Sequence, residues 1–332
     1  MTQSSFVFDA PPPQPPPPPP PAPTPPAPAQ LLTPHEMAQR LDQDPDFRVL
    51  RRLVPVHDFG PAPAEPDIRH VLVLDTETTG LSHQTDKIIE LAMLLVQVDA
   101  STGVPFGPVD ILEGFEDPGM PIPPVAREVT GISDDMVQGQ RLDDALVATM
   151  VTRADLIVAH NAGFDRPFVE SRFPVFVDKA WACSFADIDW KAAGAGSSKL
   201  SALAQDHGWF YDAHRAQVDC HALLHVLTRP VAKTTTTGLS HLIAAASSPS
   251  FKLRATGSPF ESKDLLKGRG YRWDAEAKVW FCTLVDPQRL EEELAWLKAE
   301  VYGRRSARVD IEALDSRVRY SARPGTLTQQ AL

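Results

Sequence analysis

Arg69-His70-Val71-Leu72-Val73-Leu74-Asp75-Thr76-Glu77-Thr78-Thr79-Gly80 is the stretch on which the fold turns. Its apolar half, RHVLVL, reads as a short strand buried on both faces. Side chains at i and i+2 of a strand share a face, so Asp75 and Glu77 project together at the strand's end. Two neighbouring carboxylates repel, and the end of an apolar strand makes the pair costlier still. A hard divalent cation such as Mg²⁺ or Mn²⁺ prefers carboxylate oxygen and resolves that conflict. A bare D-x-E is far more often a solvated strand end. Here the preceding VLVL and the following Thr-Thr-Gly turn add weight to the cation reading.

Working outward, residues 88–98 (IIELAMLLVQV) predict a second strand, although Leu91–Val96 alone has the composition of a helix. A third strand near Val109–Phe115 completes a meander. Asp134–Met150 then reads as a helix, Ala154–Ala159 as another buried strand, and Phe168–Arg172, Leu200–His207 and Ala216–Leu227 as helices. This order predicts an α/β fold, a mixed sheet flanked by helices.

Two further segments carry chemistry-bearing residues. Asp165 follows a buried strand in Ile157-Val158-Ala159-His160-Asn161-Ala162-Gly163-Phe164-Asp165, where a helix is expected to begin near Pro167. Alone it reads as a helix cap before a ligand, and His160 and Asn161 as turn residues or nucleotide contacts. In His214-Arg215-Ala216-Gln217-Val218-Asp219 the histidine falls in a loop and the aspartate on the first turns of a helix. Asp219 can complete a metal site while His214 reaches the water to be deprotonated, histidine being the side-chain type suited to a general base. Together, the four acids and one loop histidine meet the needs of two-metal phosphodiester hydrolysis, in which cations about 3.5–4 Å apart activate water and stabilise the leaving oxygen.

These three segments, Asp75-Thr76-Glu77-Thr78-Thr79-Gly80, His160-Asn161-Ala162-Gly163-Phe164-Asp165 and His214-x-Ala-x-x-Asp219, resemble the exonuclease motifs of the DnaQ-like DEDDh family, which includes polymerase proofreading subunits and several RNases. Pro118-Gly119-Met120-Pro121-Ile122-Pro123 and Thr130-Gly131-Ile132 resemble its second-motif approach, although a His often stands where Thr130 does. The resemblance covers residues 69–229. It implies a ribonuclease-H-like fold, two divalent cations (Mg²⁺ or Mn²⁺) held by Asp75, Glu77, Asp165 and Asp219, and His214 as general base. Arg215 stands where a sister subfamily carries Tyr, in keeping with the His-type assignment. By the same resemblance Thr79, Gly80, Leu81 and Asn161 contact the terminal nucleotide.

Around this core the sequence divides into segments. Residues 1–30 form a Pro-rich tail, most of it APPPQPPPPPPPAPTPPAPAQ, expected to be disordered and extended as polyproline II. An N-terminal helical extension occupies 31–68, with a capping box at Thr33-Pro34-His35-Glu36. The exonuclease-like domain spans 69–232 and a linker 233–250. A small α+β module at 251–323, a candidate for nucleic-acid binding, precedes a tail at 324–332. In that module a second capping box, Ser258-Pro259-Phe260-Glu261, is expected to open a helix, and basic residues interleave with Phe260, Tyr271, Trp273, Trp280 and Phe281. Such a pattern suits phosphate and base contacts, or the aromatics are simply the core of a small domain.

The net charge of −11 is unevenly spread: residues 251–332 hold fifteen Lys and Arg against twelve Asp and Glu. No secretory signal or membrane span is visible, and the scattered Cys183, Cys220 and Cys282 fit a reducing cytoplasm. The expected activity is 3′→5′ exonucleolysis of DNA, single-stranded or at 3′ ends, in proofreading or repair, with a polymerase or other replication or repair protein as partner. An exoribonuclease acting on RNA is the rival of the same chemistry. A replication or repair scaffold with incidental nuclease activity is the rival of another class, to be tested by deleting 1–30 or 251–332.

Overall fold

The computed structural model describes residues 32–231 and 234–332. The proline-rich stretch therefore lies outside the described residues. The described residues divide between two units, one ending at Val49 and the other beginning at Leu50. In the first, helix α1 (Pro34–Asp42) starts as its sequence demands. The Thr33 hydroxyl accepts from the Glu36 amide at 3.3 Å, and the Glu36 carboxylate accepts from the Thr33 amide at 2.8 Å. The short helix at the start of the extension ends at Asp42, and the rest, to residue 68, adds no other. It contains a two-residue strand β1 (Arg51–Arg52) and prolines that cannot continue a helix.

The second unit is built on strands β2 (Ile68–Thr78), β3 (Ile88–Asp99) and β4 (Val104–Phe115), an antiparallel meander. Leu91–Val96, ambiguous in sequence, lies inside β3. Helices α2 (Pro124–Thr130), α3 (Asp134–Val137) and α4 (Asp144–Arg153) follow. The single helix expected over 134–150 is interrupted because Gly139 adopts a φ of 68°, the left-handed region that stops a helix. Strand β5 (Leu156–Ala159), helix α5 (Ala162–Arg172) and strand β6 (Trp181–Cys183) come next. Then come α6 (Leu200–Asp206), β7 (Trp209–Phe210), which pairs with β1, and α7 (Ala216–Leu227).

The central sheet has the order β4-β3-β2-β5-β6, with β5 and β6 parallel to β2 and β3 antiparallel to it. This is the mixed, ribonuclease-H-like sheet expected. Its strands are apolar on both faces because both are covered. Val71 and Val73 belong to the cluster shared with α6 and α7, whereas Leu72 and Leu74 belong to the one shared with α4 and α5. Period-two alternation along β2 thus sorts its side chains between two helical layers.

The stretch expected as a linker holds a helix, α8 (Gly238–Ala246), whose Leu239 and Leu242 are fully buried against the α7 layer. Its small, polar residues hide that short apolar stripe. Beyond it lie β8 (Ser250–Ala255), α9 (Lys263–Gly268), β9 (Arg272–Asp274), β10 (Val279–Leu284), α10 (Pro287–Trp296), β11 (Arg308–Leu314) and β12 (Thr326–Ala331). They form a second sheet of order β12-β11-β8-β10-β9. The expected 324–332 tail is therefore an edge strand, its polar TLTQQA legible only through its antiparallel pairing with β11. The second capping box does not form: a short 3₁₀ turn at Phe260–Ser262 precedes α9, and Ser258 makes no cap bond.

The chain between β11 and β12 returns to the central sheet. Ser316 accepts from the Trp181 amide at 2.8 Å, and Arg166, completely buried, donates to the carbonyls of Arg317 and Arg319. Arg166 also pairs with Glu170 at 2.6 Å, and Arg323 grips the same carboxylate at 2.9 Å. Among the described residues no helix is long and apolar enough to cross a membrane.

Candidate active site

Strand β2 runs past Leu74 through the acids themselves, so Asp75 and Glu77 stay in register with Val71 and Val73 and face the α7 layer. Helix α7 brings Asp219 to that face from its first turn. Ligand oxygens of Asp75, Glu77 and Asp219 all lie within 4.8 Å of one another.

Asp165 reaches the cluster from the other layer. Helix α5 begins at Ala162, earlier than Pro167 suggests, after Asn161 takes a left-handed φ of 76°. Asp165 is therefore a first-turn residue and not the cap. Its carboxylate accepts from both the amide and the hydroxyl of Thr76, at 3.1 and 2.8 Å. Thr76 lies between the paired acids on β2 and, by alternation, faces α5.

The electrostatics are those of a site short of positive charge. Burial, and then the neighbouring Asp165, Asp219 and Glu77, hold the Asp75 carboxyl well above the usual carboxylate range. Burial and Asp219 push Glu77 up to about 8. Burial also raises Asp165 and Asp219, against the hydrogen bonds each accepts. Oxygen donors this close, buried and mutually repelling fit a hard divalent cation, which replaces protons as counter-charge.

A cleft of about 610 Å³ opens over these groups, and its lining includes Asp75, Glu77, Asp165, Asp219, His214 and Asn161. His214 sits at the left-handed φ of 67°, and its backbone amide, not its ring, donates to Asp219 Oδ2 at 2.7 Å. The imidazole is thus not consumed in holding the acid. The structure does not bring Thr79, Gly80 and Leu81 into the lining. Thr79 is buried and bonds Asp86 at 3.3 Å, Gly80 turns the chain beside Asp86, and Leu81 is 87% exposed on the following loop. The strand continues through Thr78, which carries these three beyond the carboxylates.

Several contributors escaped the sequence reading. Tyr211 donates to Asp219 Oδ1 at 3.1 Å; it has no motif spacing to announce it. Glu90 pairs directly across from Glu77 on β3, a like-charge arrangement that is relieved by Arg215 at 2.9 Å and the Ala216 amide at 3.0 Å. Phe164 and the half-exposed Phe185 supply apolar wall. Beside Phe185, His160 is held near 4 by burial, and its Nδ1 lies 2.6 Å from the Ser184 hydroxyl. It is a neutral wall residue at physiological pH.

Residues 72–227 match the family described as Exonuclease. The PolC-type DNA polymerase III of Listeria welshimeri is 38% identical over 103 residues, 30% of this chain and 7% of the relative. The PolC-type DNA polymerase III of Lacticaseibacillus paracasei is 30% identical over 179 residues, 49% of this chain and 11% of the relative. The chain thus spans a small fraction of the curated relatives it matches. Among solved structures, Exonuclease X in complex with 5′ overhanging duplex DNA aligns with a TM-score of 0.38 and 24% identity, over 48% of this chain and 89% of the other. Escherichia coli Exonuclease I with a dA16 oligonucleotide aligns with a TM-score of 0.38 and 17% identity, over 57% of this chain and 48% of the other.

Proposed function

We propose, from the premise that residues 72–227 form a DnaQ-like exonuclease domain, that this protein hydrolyses phosphodiester bonds at the 3′ end of DNA and releases mononucleotides. The observation that carries the reading is the convergence of four acids in one cleft that His214 also lines, with the backbone amide of that histidine holding Asp219. Asp75, Glu77, Asp165 and Asp219 are the residues that would hold two divalent cations, Mg²⁺ or Mn²⁺. Such ions, when bound, lower the pKa of water and stabilise the leaving oxygen.

The chain's own residues account for the rest. His214 takes the proton of the attacking water as the phosphorus–oxygen bond to the penultimate nucleotide's 3′-oxygen breaks; the leaving oxygen takes a proton from solvent, and a nucleoside 5′-phosphate and a new 3′-hydroxyl result. Tyr211 and the His214 amide keep Asp219 oriented. Asn161, Phe164 and Phe185 are the walls on which the terminal nucleotide rests. Of the run Thr79, Gly80 and Leu81 on the loop leaving β2, Leu81 is the member open to a nucleotide, Thr79 being buried. The PolC-type relatives favour a replicative setting, with a polymerase as partner and the cytoplasm as location.

The direct test incubates 5′-labelled single-stranded DNA, duplex DNA and RNA with the protein and Mg²⁺ or Mn²⁺. A ladder shortening from the 3′ end, stronger on DNA and abolished by Asp219→Ala, is expected. Intact DNA and RNA in both metals would end the reading, and a ladder on RNA alone would replace DNA with RNA as substrate.

A further inference from the structure

Residues 251–332 bury a core of their own, including Leu253, Leu266, Tyr271, Leu297, Val309 and Ile311, with Trp280 and Trp296 packed at its edge. The aromatics of this region are therefore mostly structural. Phe260 and Trp273 are not: they lie outside that cluster and remain 76% and 51% exposed. Large rings left in water by a core already complete without them are unusual enough to ask what covers them.

Both rings line one groove of about 430 Å³, together with Ser258, Lys263, Lys278 and Trp280. The Lys263 ammonium sits 4.5 Å above the Phe260 ring, and Trp280 meets Trp273 edge-on at 5.5 Å, which steadies both platforms. Among the described residues that line the groove, two are cationic and none is acidic. A complementary ligand therefore has flat apolar faces and carries negative charge. An unpaired nucleobase with its phosphate has both. A duplex keeps its base faces stacked and offers only the charge.

We propose that this groove is a second nucleic-acid site, separate from the cleft, which binds single strands by stacking a base on Trp273 or Phe260 and drawing its phosphate to Lys263 and Lys278. Such stacking tolerates any sequence, because every base has a π-face.

The test uses the full chain in EDTA, which prevents hydrolysis and leaves the carboxylate cleft repelling phosphate. Anisotropy of a labelled short oligothymidylate is followed at low and raised salt. The wild type is expected to bind in a salt-dependent manner, Phe260→Ala and Trp273→Ala each to bind about tenfold more weakly, and Trp273→Phe to keep most of the affinity. Lys263→Glu and Lys278→Glu, which reverse exposed charges, are expected to weaken binding as well, and Lys278→Glu does so without touching the Phe260 contact. Absence of wild-type binding, unchanged binding by the variants, or equal competition by duplex overturns the proposal. Binding in EDTA with no cleavage in Mn²⁺ would sink the cleft's assignment and leave the groove's intact.

Discussion

Thr76 holds Asp165 from across a layer boundary, with its amide at 3.1 Å and its hydroxyl at 2.8 Å from the same carboxylate oxygen. The acid that completes the site is therefore oriented by the residue between the two acids it joins. Thr76→Val keeps the shape and the amide bond but deletes the hydroxyl. Loss of such a supporting bond typically costs about 10–100-fold in metal affinity or activity. Titration of activity against Mn²⁺ is expected to show a raised half-saturation point, and an unchanged curve would mean that Asp165 needs no such support.

His214 tests the division between backbone and ring. Its amide anchors Asp219, and a substitution that tolerates positive φ keeps that anchor. His214→Asn is expected to lower turnover by about 10²–10⁴-fold, the usual range for a lost general base, while the Mn²⁺ midpoint stays put. Asp219→Asn is expected to move both. Equal loss of turnover and metal binding in His214→Asn would make the ring structural.

The raised carboxyl of Glu77 gives a pH dependence with a definite sign. Unfolded, the group releases its proton near 4.5; folded and metal-free, it keeps it to about 8. Between those values the folded state binds the additional proton, so metal-free stability falls as pH rises through the window. Cations substitute for that proton. The gap in Tm between Mg²⁺ and EDTA is expected to widen from about pH 5 to about pH 8, and Glu77→Gln to flatten it. A gap independent of pH speaks against cations at this carboxylate.

Arg166 is fully buried and donates to three carbonyls of the returning C-terminal segment, those of Ser316, Arg317 and Arg319, while sharing Glu170 with Arg323. Arg166→Met strips those carbonyls and leaves Glu170 with one partner. Breaking a buried ion pair in this way typically costs about 3–5 kcal/mol. Denaturant unfolding is expected to show a loss of that order, with faster proteolysis near residues 315–323. A loss within the scatter of ordinary surface changes would mean that the segment is held elsewhere.

How much of this was legible depends on where the information sits. The Asp75–Glu77 pair, the apolar run before it and the α7 segment are local patterns, and each was readable from its own window. Tyr211 and Glu90 matter only because α7 packs against β2 and β3, a contact no spacing announces. β12 escaped for a related reason: an edge strand exposed along its whole length has no apolar alternation to show. Helix α8 was masked because Leu239 and Leu242, its buried pair, are embedded among Gly, Ser and Ala. Thr79, Gly80 and Leu81 are implied by the family resemblance alone; β2 continues to Thr78, and these three do not line the cleft.

Because three of the acids belong to one side of the central sheet and Asp165 to the other, neither half of the molecule holds a complete set. A chain with only its α7 side assembled would gather three carboxylates and lack the fourth. Under the proposed assignment, reactivity toward nucleic acid therefore requires both layers to be in place, because neither alone supplies all four carboxylates.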